Sequence, residues 1–170
     1  MPVATPRELL PHYTYEDAAT WEGRWELIHG IPYAMTPAPS IQHQRISARI
    51  LLELTQALAA SDCPHCSTLL PVDWRVSEDT VVQPDNVVIC HEPDTPFLTK
   101  APVLLFEVLS PSTALKDRTL KFDIYEREGV RHLCLVDPAL KIVKIWENIA
   151  GRYVKRLDAA TESVDFDLGP

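Results

Sequence analysis

The run from Ala101 to Leu109, Ala-Pro-Val-Leu-Leu-Phe-Glu-Val-Leu, is apolar at odd and even positions alike except at Glu107. Side chains along a strand alternate between its two faces, so a strand of this composition buries both. An ionised carboxylate inside it is costly unless a cation, a metal ion or strong donors meet it. A second apolar run, Val81-Val82-Gln83-Pro84-Asp85-Asn86-Val87-Val88-Ile89, precedes it and carries Asp85. Strands that follow one another in sequence are commonly neighbours in a sheet. Asp85 has the parity of Val87 and Ile89, and Glu107 that of Leu105 and Val103. If both acids face one side they make an oxygen-rich site for Mg²⁺, completed by waters and a backbone carbonyl, for which Val108 is the candidate. The competing reading pairs one or both acids with lysine or arginine at a sheet edge.

The remaining patterns supply the layers around these strands. Thr14-Tyr15-Glu16-Asp17 predicts a short helix whose acids suit its positive end. Trp25–Ile28 and Ile31–Met35 flank His29-Gly30, a hairpin signal. Ile46, Ile50, Leu54 and Leu58 recur every fourth position, with Leu51 and Ala57 widening the stripe, and predict a helix over 41–60 with Ser40 as its N-cap. Thr68–Val76 and Val81–Cys90 read as two strands joined by Ser77-Glu78-Asp79-Thr80. A second helix is expected from Pro111 to about Glu128, stopped by Gly129. Leu133–Val136 is again fully apolar, and 141–147 turns through 148–151 into 152–157. Hairpin, helix, three strands, helix and further strands predict the α/β class, a central mixed β-sheet flanked by α-helices. Residues 1–170 are expected to form a single domain, with 1–12 a flexible N-terminal arm and Thr36-Pro37-Ala38-Pro39 a rigid connection.

The longest apolar runs fall short of a bilayer span, and Met-Pro-Val-Ala-Thr-Pro-Arg lacks the apolar core of a signal peptide, so no membrane association and a cytoplasmic location are expected. A net charge of −8 argues against a surface built wholly for nucleic acid. It leaves room for a local basic patch, or for an enzyme whose acids are partly neutralised by a metal. Cys134 lies inside an apolar run and reads as a small core residue. Cys63-Pro64-His65-Cys66 is a C-x-x-C, with Cys90-His91 as candidate completing ligands. A structural zinc site ordinarily shows two ligand pairs at known spacing, and one pair is clear here, so free thiols are the preferred reading and zinc at Cys63 and Cys66 the weaker one.

The second helix adds a cation. Asp117, Lys121 and Tyr125 are spaced by four and share a face. At about 100° per residue Lys121 stands roughly 60° from Ile124, at the margin of the apolar stripe, where its stem can reach over the strand ends. The alternative is an i,i+4 Asp117–Lys121 pair worth a few tenths of a kcal/mol. Lys116, Arg118, Lys121, Arg127 and Arg131 are interleaved with Asp117, Asp123, Glu126 and Glu128, a local excess of one positive charge, which reads equally as a solvated face and as a phosphate track. Arg45 and Arg49 on the first helix are further candidates for a groove.

Pro84-Asp85 followed by Glu107-Val108-Leu109 resembles the PD-(D/E)xK signature of the restriction-endonuclease-like superfamily. Trp-Glu-Leu-Ile-His-Gly (25–30), a helix opening at His43, Gln-Pro-Asp (83–85), Glu-Val-Leu-Ser-Pro-Ser-Thr (107–113), the spaced Asp117, Lys121 and Tyr125, Gly129-Val130 and Leu-Val-Asp-Pro (135–138) together resemble the Uma-two family of bacterial restriction endonucleases, over about 13–157. The resemblance implies a nuclease core with a Mg²⁺ or Mn²⁺ site at the sheet edge, held by Asp85 and Glu107, acting on DNA. The superfamily's lysine belongs two residues after the glutamate, where this chain has Leu109; in this branch the cation is expected on the following helix, at Lys121. Glu26 and His43 also fall on family positions. Glu26 is an accessory acid or a hydrogen-bonding group within its hairpin, the latter preferred. His43 is an accessory group or a satisfied structural histidine, and Tyr125 packs or orients Lys121. Relatives are expected to continue through another short apolar segment beyond Val164–Pro170.

Three functions compete at this stage. The first is a metal-dependent endonuclease, with a homodimer suited to cutting both strands and Ile142, Ile145 and Trp146 on an apolar edge strand as a candidate interface. The second is an inactive nuclease fold kept as a binding or assembly module, favoured by the net charge and by Leu109. The third is a small zinc-stabilised protein.

Overall fold

A computed structural model describes residues 10–35 and 38–169. The expected N-terminal arm thus falls largely outside the described residues, as do Thr36 and Pro37 of the connection. The elements in chain order are α1 (Tyr15–Ala18), β1 (Trp25–Ile28), β2 (Ile31–Ala34), α2 (Ile41–Ala59), β3 (Ser67–Leu69), β4 (Trp74–Ser77), β5 (Thr80–Val82), β6 (Asn86–Ile89) and β7 (Leu104–Val108). Then come α3 (Ala114–Lys116), a π-helical turn (Asp117–Lys121), α4 (Phe122–Arg127), β8 (His132–Asp137), β9 (Ile142–Ile149) and β10 (Arg152–Ala159).

The central sheet has six strands in the order β10-β9-β8-β7-β6-β3, with β7 and β8 parallel and the other neighbours antiparallel. This is the mixed sheet expected. A second, four-stranded sheet, β2-β1-β5-β4, was not. The stretches 68–76 and 81–90 are each divided between the two sheets. Chain breaks at Leu70–Asp73 and Gln83–Asp85, both holding a proline, send β3 and β6 into the large sheet and β4 and β5 into the small one. Proline has no N–H for a ladder and fixes its φ, so it marks where pairing changes hands.

Alternation along β7 separates two cores. Leu105 and Leu109 point into a cluster with Ile28, Trp74, Val82, Ile124, Tyr125 and Leu135, under the small sheet and α4. Leu104, Phe106 and Val108 point into the other, covered by Ile46, Ile50, Leu54 and Leu58 of α2. A strand covered on both faces is what the apolar run requires. The tail from Val164 to Leu168 packs on the α2 side, with Phe166 edge-on to Phe106 at 6.3 Å.

Local signals act as read. Thr14 caps α1 in a reciprocal capping box with Asp17, and Ser40 Oγ accepts from His43 N at 3.2 Å to cap α2. His29 and Gly30 both have positive φ, the requirement of the tightest hairpin turn. Gly129, at φ +80°, ends α4 while Val130 N reaches back to Tyr125 O at 3.0 Å. The edge-strand reading of Ile142, Ile145 and Trp146 is corrected: β9 is paired on both sides by β8 and β10. Ile145 is buried, and Trp146 packs edge-on against Phe122 at 5.3 Å. Core packing accounts for Ile145 and Trp146.

Candidate active site

Four elements bring ionisable groups to one end of β7. Glu107 faces the α4 side with Leu105 and is 2% exposed. Its Oε1 accepts from Tyr125 OH at 2.6 Å and meets Lys121 Nζ, also at 2.6 Å. Lys121, equally buried, also lies 3.0 Å from Glu26 Oε1 and 3.5 Å from Asp117 Oδ1. Lys116 Nζ takes the other oxygen of Glu26, and Gln83 N donates to Glu26 Oε1 at 2.8 Å. Asp85 sits just before β6, partly exposed, where its Oδ2 accepts from Val108 N at 2.8 Å and from His43 Nε2 at 3.1 Å.

α2 is pinned so that His43 reaches Asp85. Ser47, one turn after His43, is buried and donates through Oγ to Asn86 Oδ1 at 2.8 Å. Asn86 Nδ2 returns a bond to the Ser47 carbonyl at 3.3 Å. This reciprocal pair ties the first half of α2 to the residue after Asp85. His43 Nδ1 is a buried nitrogen with no hydrogen-bond partner.

Most of the predicted residues therefore come together: Glu26, Glu107, Lys121 and Tyr125 in one buried network, Asp85, His43 and Val108 in a second group linked to it along β7. Three readings change. Lys121 is fully buried rather than marginal. Glu26 binds the two lysines and the β5–β6 connection, not groups of its own hairpin. His43 binds Asp85 instead of serving only the α2 core. The element missed in sequence is the π turn. Residues five apart point opposite ways on an α-helix but align in an i→i+5 turn, so Lys116 and Lys121 converge on Glu26. Nothing in the spacing of Asp117, Lys121 and Tyr125 marks an extra residue in the turn.

The charges are unequal. Burial by itself would raise the Glu26 carboxyl, but Lys121, Lys116 and the Gln83 N–H outweigh it and hold Glu26 at about 2. Burial raises Glu107 well above the ordinary carboxylate range, against the pull of Lys121, and Asp117, Asp85 and Glu26 add to the rise. Burial would lower Lys121, yet Glu107 and Glu26 push it well above its usual value. Glu26, held low by two lysines, is the firmer carboxylate partner of Lys121, and Glu107 is the acid whose ionised form burial disfavours. Burial, then Glu107, hold the Tyr125 hydroxyl protonated as a donor. The bond to Asp85 raises His43 against its partial burial.

The donor set suits a hard divalent cation. Both protein donors of Glu107 meet Oε1 and both donors of Asp85 meet Oδ2, so Oε2 and Oδ1 carry none of these bonds. Four carboxylates, Glu26, Asp85, Glu107 and Asp117, face two lysines, an acid excess that an ion would offset. Among the described residues these acids form no ready-made group of three close ligands. Mg²⁺ commonly binds through one or two carboxylates and keeps several waters. Beside His43 opens a cleft of about 390 Å³, bordered also by Ser40, Gln42, Leu109, Arg118 and Asp137. Arg118 Nη2 is paired with Asp137 Oδ2 at 2.7 Å at that border.

The architecture matches the crystal structure of a "putative nuclease belonging to DUF820" from Anabaena variabilis ATCC 29413, with a TM-score of 0.69 at 16% identity, covering 84% of this chain and 83% of that one. At that identity the likeness establishes the fold: a mixed sheet between helices shared with a nuclease-like protein. The chain belongs to the Uma2 family, described as "putative restriction endonuclease", whose pattern matches residues 13–165. An uncharacterized protein, slr1290, of Synechocystis sp. (strain ATCC 27184 / PCC 6803 / Kazusa) is 34% identical over 128 residues, 71% of this chain. The match spans 66% of that relative's length. The family supports a nuclease-like function. No helix among the described residues is long and apolar enough to cross a membrane.

Proposed function

We propose that this chain is a Mg²⁺- or Mn²⁺-dependent endonuclease that hydrolyses DNA phosphodiester bonds in the cytoplasm, as a homodimer when both strands are cut. The observation that carries the reading is the pairing of an acid that keeps an uncommitted oxygen, Glu107, with a second such acid, Asp85, bonded to the backbone of the next residue on the same strand. Asp85 and Glu107 would hold the ion, with the Val108 carbonyl as a further oxygen. When bound, the ion lowers the pKa of a coordinated water and offsets negative charge on a phosphate.

The protein's own groups prepare the rest. Lys121, fixed by Glu26 and Glu107, supplies a buried positive charge beside Glu107 against the charge developing at phosphorus. Tyr125 holds the Glu107 carboxyl in one orientation. His43 borders the cleft and fixes Asp85 through Nε2, and that contact raises the imidazole pKa. The first turn of α2 carries no acid, and Ser40, Gln42 and His43 border the cleft, so the positive end of that helix is turned toward an entering phosphate.

A supercoiled-plasmid nicking assay with Mg²⁺ and Mn²⁺ tests this. Activity should vanish in Asp85→Ala and Glu107→Ala and fall steeply in Lys121→Ala. A folded wild-type preparation that cuts no single- or double-stranded DNA or RNA with any divalent ion refutes it. One observation favours the alternative, a nuclease fold serving as a binding or assembly module: the Lys121 ammonium is enclosed by Glu26, Glu107 and Asp117 and turns no donor to the cleft. Calorimetric titration separates the two, because a dead site binds neither ion in the millimolar range.

A further inference from the structure

Three of the four cysteines meet at the far end of α2. The helix rises about 1.5 Å per residue, so the sixteen residues from His43 to Ala59 carry the chain roughly 24 Å away from Asp85. There Cys63-Pro64-His65-Cys66 forms a turn closed by Cys66 N donating to Cys63 O at 3.2 Å, with Pro64 in the position that favours it. Cys66 precedes β3 and Cys90 follows β6. The antiparallel register Ser67↔Ile89, extended by one residue, sets them opposite each other, with Cα atoms 3.9 Å apart. Cys66 is thereby placed as the partner of both Cys63 and Cys90. One divalent sulfur makes one disulfide, so the two pairings exclude each other and a disulfide always leaves a thiol over. The 3.9 Å Cα separation is also below the roughly 4.4–6.8 Å usual for a bridge.

A tetrahedral ion uses all three. Ligand lengths of about 2.3 Å for sulfur and 2.0–2.1 Å for imidazole put two sulfurs about 3.8 Å apart and sulfur and nitrogen about 3.5 Å apart. Cys63 Sγ lies 4.0 Å from Cys90 Sγ and 3.9 Å from His65 Nε2. Cys63, His65 and Cys66 have their ligand atoms within 4.8 Å of one another. The Cys66 sulfur would withdraw from its two neighbours by turning about its Cα–Cβ bond. His91, next to Cys90, makes no comparable approach among the described residues.

We propose that Cys63, His65, Cys66 and Cys90 bind a structural Zn²⁺ that staples the exit of α2 to β3 and β6. Binding releases the three thiol protons to solvent and leaves a closed Cys₃His site. It is independent of the acid site, and its ligands come from one turn and the strand opposite it.

The test uses the full chain, purified under reducing conditions without chelator. Elemental analysis should find one zinc per chain, intact mass all four cysteines reduced, and zinc-edge absorption three sulfurs and one nitrogen. A thiol-blocking reagent should release the zinc, and Cys66→Ser should lose it. His65→Ala, an exposed change that spares the fold, should weaken its retention against a competing chelator at least tenfold. Stripping the metal should lower the melting midpoint by roughly 8–16 °C, the shift for a ligand at a thousandfold excess over its Kd in a chain of this size. Zinc absent with the mass lighter by two hydrogens overturns the proposal in favour of a disulfide. Zinc absent with four free thiols, or zinc retained in Cys66→Ser, overturns it as well.

Discussion

Glu107→Gln removes a titrating proton while keeping the shape and the acceptor for Tyr125 and Lys121. Its effect on stability therefore depends on pH in a way that can be worked out. The folded Glu107 holds its proton well above the reference value of 4.5, chiefly through burial. Above that reference the unfolded chain has lost the proton and folding must take it up again. Stability from this group is complete below about pH 4.5 and declines as pH rises toward the folded value, by about 1.4 kcal/mol per pH unit. Glu26 runs the other way: held at about 2, it stabilises above 4.5 and is lost as pH falls toward 2. Wild type and Glu107→Gln, compared by urea denaturation in EDTA, should be nearly equal at about pH 4.5. They should then diverge, with the variant the more stable, as pH rises above that reference. Saturating Mg²⁺ should close the gap, because the ion displaces the proton and stabilises only wild type, by about 2.7 kcal/mol at a hundredfold excess over its Kd. Parallel stability curves in EDTA would show that Glu107 is ionised in the fold and would refute the charge assignment.

Two further outcomes follow from the same network. Double-mutant cycles of Lys121→Met with Glu26→Gln and with Glu107→Gln, read by denaturation midpoint at neutral pH, should give about 3 kcal/mol of coupling to Glu26 and about 1.5 kcal/mol to Glu107. That order inverts the distances of 3.0 and 2.6 Å, and a larger coupling to Glu107 would mean a charged partner there. Ser47→Ala strips the buried Asn86 side chain of its donor, should cost about 1–3 kcal/mol, and should weaken Mg²⁺ affinity by loosening His43 on Asp85; unchanged affinity with the stability loss would sever α2 from the site.

What could be read from the sequence was whatever a local pattern enforces. The two-faced apolar run fixed β7 as a covered central strand, and period four fixed the α2 stripe, because both depend only on which side chains must leave water. Ser40, Thr14, Gly30 and Gly129 act through one or two backbone torsions, and each sits at the boundary it marks. The second sheet was not legible. Whether β4 and β5 continue β3 and β6 or fold away depends on what covers them, and the prolines at 71 and 84 show only that pairing is interrupted. In the candidate site, Asp85, Glu107 and Lys121 stood out by their chemistry and by family resemblance. The meeting of Cys63, Cys66 and Cys90 was half legible: Cys90 stood as a candidate completing ligand, but the second half of the set is one cysteine, delivered by register.

The cation on the helix follows from how position 109 is used. Leu109 shares the face of Glu107, is 6% exposed, and belongs to the cluster with Tyr125 and Leu135. A lysine there would bring an ammonium into the apolar contacts that hold α4 to the sheet. The helix lies over that same face and reaches Glu107 from above it, and its π turn changes what it can deliver. An ordinary α turn would point Lys116 and Lys121 apart. The turn over Asp117–Lys121 stacks them, so one ammonium takes each oxygen of Glu26 and the second continues to Glu107. Such turns are rare and concentrate at functional sites. Here the irregularity lets two ammonium groups serve Glu26 while one of them also meets Glu107. The glutamate in the apolar strand is tolerated because Lys121 and the Tyr125 hydroxyl both meet its Oε1, and because burial shifts it toward the neutral acid, a cation bound at the proposed site is expected to release protons.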